Sequence, residues 1–136
     1  MFNILFALSW DQHIHHETAH SHFARLDEWS TCPVTEAGLL RLLLTEKVVG
    51  RRVTGSEALA QMAAIREAPG WSFVEDSASL SRPVIDTRVL MGRRQVTDLQ
   101  LLNLAASHGM QLATFDAALR NSLVPADRRW VNLWSA

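Results

Sequence analysis

Three carboxylates stand at points where core packing gives no reason for an acid. The stretch "QVTDLQLLNLAASHGMQLATFDAAL", residues 95–119, reads as a well-formed helix followed by a short apolar strand. Asp98 marks the start of the helix and Asp116 the end of the strand. Helix 98–108 runs about 16 Å away from Asp98 at 1.5 Å per residue. Strand 111–115 comes back by about 16 Å at about 3.3 Å per residue. Asp116 is therefore predicted at the sheet edge that Asp98 left. Glu36 falls in the first turn of the helix after a strand at Trp29–Cys32. In a right-handed βαβ unit that turn lies on the same carboxyl edge, where open α/β sheets bind ligands. Each acid alone has an ordinary explanation, either complementing a helix dipole or, for Asp116, capping the short helix that follows. Together they repel unless a cation or proton lies between them. A few hard oxygen ligands suit Mg²⁺ or Mn²⁺, which keep several waters and accept a phosphate oxygen. The chemistry such a set supports is metal-assisted phosphodiester hydrolysis by an activated water.

A second constellation competes. Residues 16–20 read "HETAH", a literal H-E-x-x-H in a helical segment, which would put His16 and His20 on one face as zinc ligands with Glu17 as general base. Five of the six histidines fall within residues 13–22, so a chance match is easy. The extended zinc-protease pattern wants a glycine three residues after His20 and a histidine three beyond, where Phe23 and Leu26 stand. The expectation is a helix without bound zinc, its histidines facing solvent or a partner chain.

The elements that must position these residues are legible as alternating helices and short apolar strands. "HHETAHSHFARLDE" (15–28) has helical spacing and stops before the strand at Trp29–Cys32, which Pro33 ends. Thr35 is placed to cap the next helix, in which leucines 39, 40, 42, 43 and 44 leave little polar face. Thr54 and Glu57 stand in capping-box spacing at the head of a helix that closes at Pro69–Gly70. "WSFVE" is a strand candidate, residues 76–96 are polar and loop-rich with a helical turn near 86–91, and Thr97 with Gln100 forms a second capping box. Gly109 stops that helix, "QLATF" is a strand, and "RRWVNLW" alternates as the last one. This order predicts an α/β fold with a parallel sheet and helices on both faces.

At 136 residues the chain is predicted to be one domain. With 48% apolar and 20% charged residues it is not a disordered chain. A net charge of −1 gives no overall pull toward nucleic acid, yet the cations are twelve Arg to one Lys, with pairs at 51–52, 93–94 and 128–129. Arginine grips phosphates bidentately, which gives weak support to a phosphate-bearing partner, while solvated surface arginines are the more ordinary reading. The lone Cys32 excludes an intrachain disulfide and reads as a small buried residue at a strand end. No run approaches the roughly 20 apolar residues that cross a bilayer, and the N-terminus lacks the basic region of a signal peptide. A cytoplasmic protein is expected. Among five tryptophans, Trp29, Trp130 and Trp134 read as core or interface; Trp10 and Trp71 remain open between packing and base stacking.

The segments "TCPVTEAGLLRLL", "QVTDLQLLNLAASHGMQLATFD" and "SWDQHIHHETAHSHF" resemble, in order and spacing, those of the PIN-domain ribonucleases, specifically VapC-type toxins of bacterial toxin–antitoxin modules. The resemblance covers nearly the whole chain. It implies a three-layer α/β/α domain over residues 1–136, with Glu36, Asp98 and Asp116 as metal-binding catalytic acids for Mg²⁺ or Mn²⁺. It implies polar support from Asn3, Thr35 and Thr114, and RNA-backbone contacts from nearby arginines, Arg41, Arg93 and Arg94. RNA as substrate, a cognate antitoxin protein and a homodimer complete that picture. The chain departs from the pattern at its start: the family's first acid would fall at Met1, and the strand before it is missing. By periodicity alone Phe2–Leu8 is a buried strand delivering Asp11 as a substitute acid; by resemblance it is the first helix. A PIN-like domain that binds its antitoxin without cutting RNA is the alternative function, and a zinc protease through His16, Glu17 and His20 a minor one.

Overall fold

Residues 4–7, Ile-Leu-Phe-Ala, are all buried, so neither a two-residue nor a 3.6-residue period shows in them. The computed structural model, which describes residues 2–135, makes this run a helix, α1 (Phe2–Ser9). The strand reading is thereby set aside, and Asp11 lies exposed in the turn after α1. The chain divides into two compact units, Phe2–Glu75 and a second from Asp76 onward.

In the first unit α1 is followed by α2 (His16–Phe23), β1 (Trp29–Thr31), α3 (Pro33–Leu43), α4 (Glu46–Val49), α5 (Gly55–Arg66) and β2 (Trp71–Phe73). Strands β1 and β2 pair in parallel, Trp29 opposite Trp71 and Thr31 opposite Phe73. Leu5 and Phe6 of α1, Trp29, Leu39 and Leu43 of α3, and Ala58 and Met62 of α5 form one apolar core. The Thr54–Glu57 capping box is made, with the Glu57 amide donating to Thr54 Oγ1 at 3.1 Å. Thr35, expected as the cap of α3, stands one turn further in. Pro33 takes the first helical position, where its missing N–H costs nothing, and Cys32 becomes the cap residue. The Thr35 hydroxyl then accepts the Cys32 amide at 3.0 Å. The buried Cys32 is the small strand-end residue expected of it.

In the second unit residues 76–95 carry two 3₁₀ turns, Thr87–Val89 and Arg93–Gln95, before α6 (Val96–Ser107), β3 (Leu112–Thr114), α7 (Ala117–Ser122), a 3₁₀ turn at Pro125–Trp130 and β4 (Val131–Leu133). Strand β3 pairs in parallel with β4. The long loop is pinned by buried polar side chains: Asn103 accepts the Val84 amide at 2.8 Å and Asp127 accepts the Asp86 amide at 2.7 Å. Helix α6 starts at Val96, two residues before the expected 98, because the Arg93–Gln95 turn feeds straight into it. The Thr97–Gln100 capping box is therefore not formed; Gln100 donates instead to the Ala78 carbonyl at 2.8 Å. Gly109, at φ +66°, ends α6 as expected. Its amide and that of Met110 return to the carbonyls of Ala106 and Ala105, the paired bonds of a Schellman stop. No described helix is long and apolar enough to cross a membrane.

Candidate active site

Glu36 sits in the first turn of α3, where an acid complements the helix dipole. More than the dipole holds it. Thr31, at the end of β1, donates its hydroxyl to Glu36 Oε2 in a short hydrogen bond, and Arg66 Nε approaches the same oxygen at 3.1 Å. The Thr31 hydroxyl in turn accepts the indole N–H of Trp71 at 2.9 Å. The carboxylate is only 16% exposed, so this is a partly desolvated pair rather than a surface ion contact. Both bonds fall on Oε2, and Oε1 takes none from the described residues. Sequence reading missed Arg66 and Thr31; the only signal available was an arginine closing the helix before a Trp-containing strand.

Asp98 and Asp116 belong to the second unit. Asp98 lies in the first turn of α6, half-buried, with Leu99 and Leu102 facing the core beside it. Burial pushes its carboxyl above the ordinary 3.8, and the negative charge of Asp116 pushes the same way. Asp116 is exposed two residues past β3; its own amide donates to the buried Thr114 hydroxyl at 3.1 Å, and its carboxylate caps α7 through the Leu119 amide at 3.1 Å. The capping role foreseen for Asp116 and its coupling to Asp98 coexist, because capping uses Oδ1. A half-buried carboxylate whose proton affinity is raised by burial and by a neighbouring carboxylate suits a site that takes a cation. Among the described residues no group of three or more His, Cys, Asp or Glu is arranged to hold a metal ion. Mg²⁺ needs no such cage, since it is commonly held by one or two carboxylates with waters and phosphates completing its octahedron. The pair fits that ion.

The remaining site candidates are placed as follows. Asn3 is exposed on α1 and Thr35 is buried in the first turn of α3. Arg93 and Arg94 are exposed in the turn leading into α6, a few residues from Asp98, and Gln95 fixes that turn by accepting the Met91 and Gly92 amides. Arg41 is exposed near the end of α3. His16 Nδ1 and His20 Nε2 meet the carbonyl oxygens of Ala7 at 2.7 Å and Leu8 at 3.0 Å. These are orphan carbonyls in the last turn of α1, so the H-E-x-x-H spacing serves as a helix stop.

A family model described as PIN domain matches residues 3–122, which is most of the chain and spans both units. This chain belongs to the PIN-domain family. Its relatives include Ribonuclease VapC38 of Mycobacterium tuberculosis (strain ATCC 25618 / H37Rv), 41% identical over 120 residues, covering 86% of this chain and 83% of that one. Ribonuclease VapC39 of the same strain is 38% identical over 123 residues, 88% of each chain. Ribonuclease VapC29 is 34% identical over 120 residues, 86% of this chain and 84% of that one. The chain is thus a VapC-type PIN domain, and its alternation of helices with short parallel strands is that of the three-layer α/β/α class.

Proposed function

We propose that this PIN domain, taken as one domain over residues 1–136, is a divalent-metal-dependent endoribonuclease and the toxin of a toxin–antitoxin pair. The observation that carries the chemistry is the Asp98–Asp116 pair, in which a half-buried carboxylate is set against a second one. The relatives' name, ribonuclease, supports RNA as the substrate. PIN-domain ribonucleases generally use divalent metal ions. A bound Mg²⁺ or Mn²⁺ would supply an activated water and neutralise phosphate charge.

The chain's own residues have the following parts. Asp98 and Asp116 hold the cation, and Asp116 is kept in place by its own cap to α7 and by Thr114. Glu36 is the third acid; Thr31 and Arg66 fix its Oε2 and leave Oε1 to act. Thr35 braces the first turn of α3 on which Glu36 rides, and Asn3 supports from α1. Arg93 and Arg94, five and four residues before Asp98, and Arg41 take RNA phosphates. VapC toxins generally pair with a VapB antitoxin and act on RNA; here a cognate antitoxin, a homodimer and a cytoplasmic site are part of the same reading.

The test is cleavage of single-stranded RNA by the purified chain, with Mg²⁺ or Mn²⁺ and with EDTA. Metal-dependent cutting supports the enzyme. Antitoxin binding without cutting supports the impaired PIN domain instead. Zinc-dependent proteolysis, lost in His16→Ala, would support the protease.

A further inference from the structure

Trp71 and Phe73 are left without a part in that scheme, and Arg66 enters it through Nε alone. Arg66 ends α5, while Trp71 and Phe73 lie two residues apart on β2, so their rings share one face of the strand. The guanidinium carbon stands 4.3 Å from the Trp71 ring centre and 5.0 Å from that of Phe73. Only Nε of Arg66 is bonded to Glu36; its two terminal amino groups bond no acceptor among the described residues. The Trp71 ring is fixed by its N–H bond to Thr31 and packs against the core. Phe73 differs, being 41% exposed at the end of its strand.

A guanidinium pinned at Nε and lying on aromatic faces keeps the edge that takes a phosphate, while losing little freedom when it does so. An exposed aromatic ring accepts any nucleobase, since every base has a π face. Both features stand beside a proposed catalytic acid, and their charge and shape suit a nucleotide better than an acidic peptide, which would leave the ring unused. We propose that Arg66 and Phe73, with Trp71 as rigid backing, form a subsite for single-stranded RNA next to Glu36. The guanidinium takes a backbone phosphate and the Phe73 ring stacks on a base. This rests on the ribonuclease reading above.

The test uses the chain carrying Asp98→Asn, so that the probe stays intact, and a short mixed-sequence oligoribonucleotide followed by fluorescence anisotropy. Adding Phe73→Ala should weaken binding on the order of tenfold, and Phe73→Leu, which keeps bulk but no π face, should also weaken it. On an abasic strand of equal length neither change should matter. Adding Arg66→Ala should lower the slope of log affinity against log salt by about 0.7, the share of one single-strand phosphate contact. Phe73 is exposed, so its variants should melt with the parent and isolate binding from folding. Unchanged affinity in both Phe73 variants, or equal losses on base-bearing and abasic strands, would overturn the subsite. An acidic peptide bound through Arg66, with RNA binding untouched by its loss, would overturn it too. If the parent binds no RNA and the chain with Asp98 intact cuts none, the ribonuclease reading falls with it; cutting with indifferent Phe73 variants sinks the subsite alone.

Discussion

A carboxylate whose proton affinity is raised by folding works against the fold that holds it. Asp98 binds its proton more tightly in the folded chain than in the unfolded one, through burial first and Asp116 second. Its contribution is therefore fully present below the ordinary 3.8 and is lost as the pH climbs through the raised value. At neutral pH the charge is a cost, and Asp98→Asn should raise the melting temperature of the metal-free protein in a calorimeter scan. A lower melting temperature would mean that Asp98 is held by partners that favour its charge. Histidine shows the opposite use of a polar group. His16 and His20 each satisfy a carbonyl at the end of α1, and each replacement by Ala should cost about 1 kcal/mol in urea unfolding, the net worth of one hydrogen bond. Zinc supply should not restore that loss. These histidines were visible in the sequence as a motif. What they bond was not, because the partner is backbone nine and twelve residues away and leaves no trace in residue type.

At the scale of elements, the helix ends decide where the acids stand. Gly109 was readable as a stop, and Thr54 with Glu57 as a start, since both signals are local and both were realised. Thr35 and Thr97 carry start signals that fall three and two residues past the observed caps, Cys32 and Gln95, because in each case the winding begins earlier. Pro33 claims the first position of α3, and the Arg93–Gln95 turn starts the winding that α6 continues. The strands form where expected but are shorter, because Cys32 becomes the cap of α3 and residues 128–130 wind into the Pro125–Trp130 turn. The turn between α5 and β2 shows what one residue can demand. Gly70 has φ +86°, and a Cβ there would run into the carbonyl oxygen of Asp27, part of the backbone leading to β1. Gly70→Ala should destabilise by at least about 2 kcal/mol, combining left-handed strain with that clash. Because Trp29 donates to the Gly70 carbonyl, the loss should appear together with reduced protection of the Trp29 amide in hydrogen exchange. An unchanged melting curve would show that the turn can relax.

For the whole molecule, the family was legible because its acids sit in short motifs with local helix and strand signals around them. The anchoring of Glu36 was not legible, since Arg66 reaches it from thirty positions along the chain. Binding of a cation should reverse the cost of Asp98: millimolar Mn²⁺ should raise the melting temperature of the natural chain and leave that of Asp98→Asn nearly unmoved, by linkage of binding to folding. Equal shifts in both proteins would place the ion elsewhere. The most direct test of the central claim is the rate of RNA cleavage as Mg²⁺ or Mn²⁺ is titrated in, for the natural chain and Asp98→Asn side by side. The expected result is a rate that saturates with metal in the natural chain, is abolished by EDTA, and falls at least about 10²-fold in the variant, the loss of one major electrostatic stabiliser. Cleavage that persists in EDTA, or equal rates in the two proteins, would contradict it.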